Sequence, residues 1–279
     1  LNSSFRSFYK ELAMALPTIS DFEFLAVLAQ IEILQVFNNP HKLELETKSD
    51  KSLVTVADIN INNRVVEHFA EKFPNIRVIG EERSSEPRES EHVIMVDPID
   101  GTSVFARGIP ISAFAITLFK ERVPVLALIY DPFQGRAWKA EKGRGCHLND
   151  TRVFVSEQKE IKGSGISLNN WDGAGEQFGL DLYQVYENLV KSQAKTLIPL
   201  SVAYFGGLIA DGNMEGSVLP GTIGWETGAM QLLVEEAGGK VTDIYGNPLV
   251  YDEDYATRGH IITNGLIHDQ LVEIVNRRQ

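Results

Sequence analysis

The 279-residue chain contains a single cysteine, Cys146. One thiol cannot close an internal disulfide and cannot build a cysteine-rich zinc site, so the sequence predicts a reducing compartment, the cytoplasm. Long apolar runs are missing as well. Every hydrophobic stretch meets a charge or a glycine well short of the roughly 20 residues that a membrane-crossing helix needs. The opening residues lack the basic-then-apolar order of a secretory signal. Positive charge is scarce: 26 Lys and Arg stand against 38 Asp and Glu, a formal net charge of −12, which argues against nucleic acid or an anionic membrane as the principal partner. The six histidines form no His-Glu-x-x-His pair, and there is neither a Walker loop nor a Gly-x-Ser-x-Gly elbow. What remains is an ordinary globular composition, 43% hydrophobic and 23% charged, in an acidic chain that would need metal cations to hold an anion.

Apolar spacing places helices at Ser20–Phe37, with Ser20 or Asp21 as N-cap, and at Ala57–Phe73, with Asp58 at its start and Pro74 closing it. Short apolar runs at Ile76–Ile79, His92–Val96, Ala113–Phe119 and Val125–Tyr130 suit strands. Gly143–Asp150 is expected to be a loop. Beyond it, Gly165–Leu168, Lys240–Asp243 and His260–Thr263 are expected strands; Leu180–Lys191, Gly224–Ala237 and a stretch from Ile267 are expected helices. The predicted fold class is α/β, an α+β half over residues 1–157 joined near residue 158 to an α/β half over 158–279.

The segment Asp97-Pro98-Ile99-Asp100-Gly101-Thr102 follows an apolar strand. Pro98 presets φ for a tight turn that can aim Asp97, Asp100 and the Ile99 carbonyl at one locus, the hard oxygen set that magnesium prefers. If Thr102 opens a helical turn, the Gly101 and Thr102 amides face an anion. Taken alone, the hexapeptide also reads as a simple β-turn. Gly80-Glu81-Glu82 ends another strand-like run and offers a further carboxylate.

Together with Val54-Thr55-Val56-Ala57-Asp58, Trp225-Glu226 and Glu236-Ala237-Gly238-Gly239, these segments resemble the inositol monophosphatase family of magnesium-dependent, lithium-sensitive phosphatases over nearly the whole chain. The resemblance implies a layered αβαβα sandwich of the inositol monophosphatase and fructose-1,6-bisphosphatase type. It implies two or three Mg²⁺ ions. Glu81, Asp97 and the Ile99 carbonyl would hold one and Asp97, Asp100 and Glu226 another, with Asp97 bridging. Glu81 and Thr102 would position and deprotonate the attacking water, Asp58 would assist through a third ion or the water network, and Ile99, Asp100, Gly101, Thr102 and Ser201 would face the substrate. The expected reaction is hydrolysis of a small phosphomonoester, without a phosphoenzyme, by a homodimer; a catalytically weak metal-binding or regulatory homodimer is the alternative.

Four departures qualify the resemblance. Glu226 stands where the family usually has Asp, a change expected to loosen magnesium. Val104 replaces the usual Asn, Leu219 a sugar-binding Glu, and Ile198 lies near an expected Arg. Inositol phosphate is thereby disfavoured, and fructose-1,6-bisphosphate, a 3′-phosphoadenosine nucleotide and histidinol phosphate stay open. Lys48 could approach the phosphate region, and Phe5, Phe8 and Tyr9 read as packing or a subunit contact.

Overall fold

Thr18 opens helix α1 (Ile19–Phe37): its amide and its hydroxyl both donate to Asp21 Oδ2 at 2.9 Å. The N-cap thus lies ahead of Ser20, because the Thr-x-x-Asp spacing closes a capping box. The structure, a computed structural model, describes residues 16–39, 45–47, 53–85, 89–169, 179–198, 201–221 and 224–277. Phe5, Phe8, Tyr9 and Lys48 lie outside them. A two-stranded antiparallel hairpin, β1 (Leu45–Thr47) and β2 (Leu53–Thr55), leads into helix α2 (Val56–Lys72). Thr55 caps α2 through the same device, donating its amide (2.8 Å) and its hydroxyl (2.5 Å) to Asp58 Oδ2.

Seven strands follow: β3 (Arg77–Gly80), β4 (His92–Asp100), β5 (Ala113–Lys120), β6 (Val123–Asp131), β7 (Arg136–Glu141), β8 (Cys146–Leu148) and β9 (Thr151–Val153). They form one sheet in sequence order, antiparallel except for the β3–β4 pair. The four-residue helix α3 (Thr102–Phe105) interrupts the run between β4 and β5. Gly143–Asp150 is not all loop, since it contains β8; three paired residues between turns are too few to leave a periodic pattern.

The remaining elements are β10 (Gly165–Leu168), α4 (Leu182–Lys191), β11 (Lys195–Leu197), α5 (Val202–Ala210), β12 (Gly216–Leu219), α6 (Gly224–Glu236), β13 (Lys240–Asp243), β14 (His260–Thr263) and α7 (His268–Asn276). Their strands form a second sheet, ordered β11-β10-β12-β14-β13, with β10 parallel to both neighbours and β14 antiparallel to both of its own.

The cores show how these parts stack. Phe22, Leu25 and Ile33 of α1 and Ile61, Val65 and Phe69 of α2 bury one face of the large sheet against Ile94, Val96, Ile116 and Leu128. On its other face Ala115, Ile129 and Trp138 meet Ala203 of α5 and Met230 and Leu233 of α6, and the same cluster takes in Leu219, Val241 and Ile262 of the small sheet. Leu189 of α4 and Leu271 and Ile274 of α7 cover the small sheet's far face through Ile166, Val218 and Ile261. The result is an αβαβα sandwich in which α5 and α6 form the inner layer.

Candidate active site

Strand β4 carries buried Met95 and Val96 to the edge of the core, where its pairing with β5 shifts register between Asp97 and Asp100. This is a bulge within a strand rather than a free β-turn. A bulge leaves residues unpaired and re-aims their side chains, and Pro98, which cannot donate to a ladder, sits within it. Gly101 then adopts φ +90, a left-handed conformation that turns the chain into α3. Asp97 and Asp100 are both buried.

Helix α6 brings the third acid. Its backbone lies so close to the large sheet that a Cβ on Gly224 would stand 2.6 Å from Met95 Sδ, and one on Gly228 2.4 Å from Phe119 Cζ. Between these close approaches Glu226 projects its carboxylate back toward β4. Ligand atoms of Asp97, Asp100 and Glu226 all lie within 4.8 Å of one another. Burial raises the Asp97 carboxyl well above its ordinary range, and Glu81, Asp100, Glu226 and Asp58 raise it further. Burial, then Asp100 and Glu81, do the same to Glu226. Asp97 Oδ1 and Glu226 Oε2 are buried without a hydrogen-bond partner among the described residues. Clustered carboxylates with orphaned oxygens fit a hard divalent cation, which would supply both the missing contacts and the missing charge.

Asp100 is held differently. It accepts the Ser201 hydroxyl, the Val202 amide at 3.1 Å and the Ala203 amide at 2.7 Å, so it satisfies the start of α5. Burial pushes it up and these donors pull it back, leaving it at about 6. Ser201, expected to face substrate, is the N-cap of α5 and is engaged with Asp100.

Thr102 Oγ1 lies 3.0 Å from the Ile99 carbonyl and 3.3 Å from Asp58 Oδ1, so its proton has two acceptors. Asp58 is fully buried and raised to about 7, chiefly by that burial, against the lowering effect of its bonds from Thr55. Glu81 follows β3, its amide bonded to the Val96 carbonyl at 3.2 Å. Its charge acts on Asp97, Asp58 and Glu226, yet its carboxylate stands outside the tight three-acid group.

Two further side chains escaped the sequence reading. The Asn169 amide continues the β10–β12 ladder onto Val218, and Leu219 pairs with His260, which sets Asn169, Leu219 and His260 in one row across three strands. Side chains in one row share a face, and Leu219 shares its cluster with Val202 and Ala203 of α5. Asn169 Nδ2 and both His260 ring nitrogens are buried without partners among the described residues. Leu219 itself is fully buried, Val104 is buried, and Ile198 is exposed. Register alone assembles this row, and no local pattern announces it.

Comparison with known proteins bears on this geometry. The chain is 25% identical over 254 residues to a fructose-1,6-bisphosphatase/inositol-1-monophosphatase of Aquifex aeolicus, covering 91% of this chain and 93% of that one. It is 28% identical over 244 residues to a histidinol-phosphatase of Mycobacterium tuberculosis (84% and 88%), and 27% identical over 225 residues to a Nus factor SuhB of Pasteurella multocida (79% and 80%). The crystal structure of the extragenic suppressor protein SuhB from Bartonella henselae superposes with a TM-score of 0.85 at 24% identity, over 94% of this chain and 99% of that one. The Thermotoga maritima inositol monophosphatase gives 0.79 at 25%, over 92% and 96%. The inositol monophosphatase family matches residues 18–279, and with the layered fold and the buried acids already in view, the chain belongs to that family of phosphomonoester hydrolases.

Proposed function

We propose that the chain hydrolyses the phosphomonoester of a small hydroxylated alcohol, a sugar or polyol, with Mg²⁺ at the Asp97, Asp100 and Glu226 cluster. The observation that carries this reading is the trio of buried carboxylates within 4.8 Å of one another, two of them with orphaned oxygens. Magnesium, when bound, neutralises phosphoryl oxygens and lowers the pKa of water. Asp97, central to the charge network, would hold the metal together with Asp100 and Glu226, and the Ile99 carbonyl would add a neutral oxygen. Glu81 is the base for the attacking water. Thr102 orients that water through a hydroxyl already directed between Ile99 and Asp58. Asp100 serves twice, as a ligand and as the acceptor that fixes α5 beside the substrate.

We read the row of Asn169, Leu219 and His260, on the face of the small sheet that packs toward α5, as one wall of the substrate space, and it favours an uncharged leaving group. These three residues offer no carboxylate for an ammonium group, and burial holds His260 neutral, its pKa lowered to about 3. Neutral donors and acceptors suit hydroxyl groups. The test is phosphate release with Mg²⁺, with and without lithium, from myo-inositol 1-phosphate, fructose-1,6-bisphosphate, histidinol phosphate and a 3′-phosphoadenosine nucleotide. Turnover of the first or second, abolished by chelation and by Asp97→Asn, is expected. Preference for histidinol phosphate would refute the neutral-wall reading, and no turnover on any would refute catalysis.

A second reading, a regulatory protein of the same fold with little turnover, draws on the relatives named Nus factor SuhB and on Glu226 in place of Asp. Magnesium binding by calorimetry without phosphate release would favour it.

A further inference from the structure

At the other end of the large sheet, where β3 and β4 begin, lies an open cavity of about 1010 Å³. Val93 in its wall and Asp97 of the acidic cluster are four residues apart on one strand, about 13 Å. The floor is Arg77, Val93 and Tyr255. Tyr255 is buried, in a left-handed conformation at φ +60, and stands edge-on to Phe119 with ring centroids 5.2 Å apart. Arg77 Nε is buried without a hydrogen-bond partner among the described residues. The exposed rim carries Arg122 and the carboxylates Glu89, Glu91, Glu121 and Glu253. Glu91 is already paired with Lys120 at 2.9 Å.

We propose that this cavity binds a small zwitterion of the α-amino-acid type, its carboxylate on Arg77 beside the Tyr255 hydroxyl and its ammonium group on the glutamate rim. The charge pattern selects both ends. A lone anion reaching Arg77 must pass the rim carboxylates Glu89, Glu121 and Glu253, and a lone cation drawn to the rim meets a guanidinium beneath it. A molecule carrying both charges a few ångströms apart satisfies floor and rim together, and an apolar side chain finds Val93 and the tyrosine ring. Burial raises the Tyr255 phenol, and the charges of Arg122 and Arg77 pull it back.

The test is calorimetric titration of the full chain, in chelator, with L-phenylalanine, 3-phenylpropionate and phenethylamine, which share a ring and differ in charge. Phenylalanine is expected to bind one per chain, at least tenfold tighter than either analogue. Arg77→Gln should weaken it at least tenfold, while Asp97→Asn leaves it unchanged. Because Arg77 is partly buried, the exposed Glu253→Lys provides a variant that does not endanger folding: phenylalanine should weaken at least fivefold and phenylpropionate strengthen. Absence of saturable binding, an analogue that binds as well as phenylalanine, or no change in Glu253→Lys would each overturn the proposal.

Discussion

The Ser201 hydroxyl donates to Asp100 Oδ2, tying the N-cap of α5 in one half of the chain to an acid at the end of β4 in the other. The bond lies between buried groups and involves a carboxylate, the stronger class of hydrogen bond. Ser201→Ala is therefore expected to cost about 1–3 kcal/mol of stability and to lower kcat more than it raises KM. Ser201→Thr should recover most of both. Urea unfolding and steady-state kinetics on the two variants check this; an alanine variant with unchanged kcat would show that the tie does not position Asp100.

Asp97→Asn should separate stability from activity. In the absence of cation the buried acids repel one another, so the amide relieves strain, and Tm at pH 7 in chelator should rise by about 2–4 °C. Turnover should fall by about 10²-fold or more. Added magnesium should raise the Tm of the parent chain more than that of the variant, readable by thermal melts. A variant melting below the parent in chelator would contradict the repulsion.

Glu226→Asp tests reach. The family's usual Asp suggests that Glu is a poor fit, but Gly224 and Gly228 already hold α6 hard against Met95 and Phe119, so the helix cannot advance to compensate for a shorter side chain. The carboxylate would withdraw from Asp97 and Asp100, and magnesium should bind several-fold more weakly by calorimetry. Tighter binding would mean that the extra methylene is a misfit.

Acid sensitivity should trace in part to two buried histidines. Burial lowers His260 to about 3 and His268 to about 4, while both titrate near 6.5 when unfolded. The unfolded chain binds more protons across that window, so their contribution to stability is complete above pH 6.5 and is lost as pH falls toward 4. The acidic cluster has the opposite slope, since Asp58 at about 7 and Asp100 at about 6 hold protons in the fold that the unfolded chain releases. As pH falls from 7.5 to 4.5 in chelator, the unfolding free energy from urea melts should shift toward instability by up to about 1.4 kcal/mol per pH unit more for the parent chain than for His260→Leu. Parallel profiles would refute the assignment.

The parts of this molecule that were legible in the sequence are those whose physics is local. Helices α1, α2 and α6 announce themselves by apolar period, and Asp97 and Asp100 by the turn-forming residues between them. Glu226 was readable only through resemblance, because nothing near Trp225 says that α6 lies against β4. The bulge at Pro98 is not distinguishable from a turn by its residues, since both need the same ones. Strand β8 was too short to show a pattern. The Asn169, Leu219 and His260 row depends on strand order and register, which arise from tertiary pairing rather than from any one segment.

The inner helical layer has a practical consequence. Since α5 and α6 pack between the two sheets and also anchor Asp100 and present Glu226, the seat of that layer and the placement of the acids depend on the same buried contacts. Activity and the folded signal should be lost together in a denaturant titration, which makes enzymatic assay a direct gauge of how tightly the chain is closed.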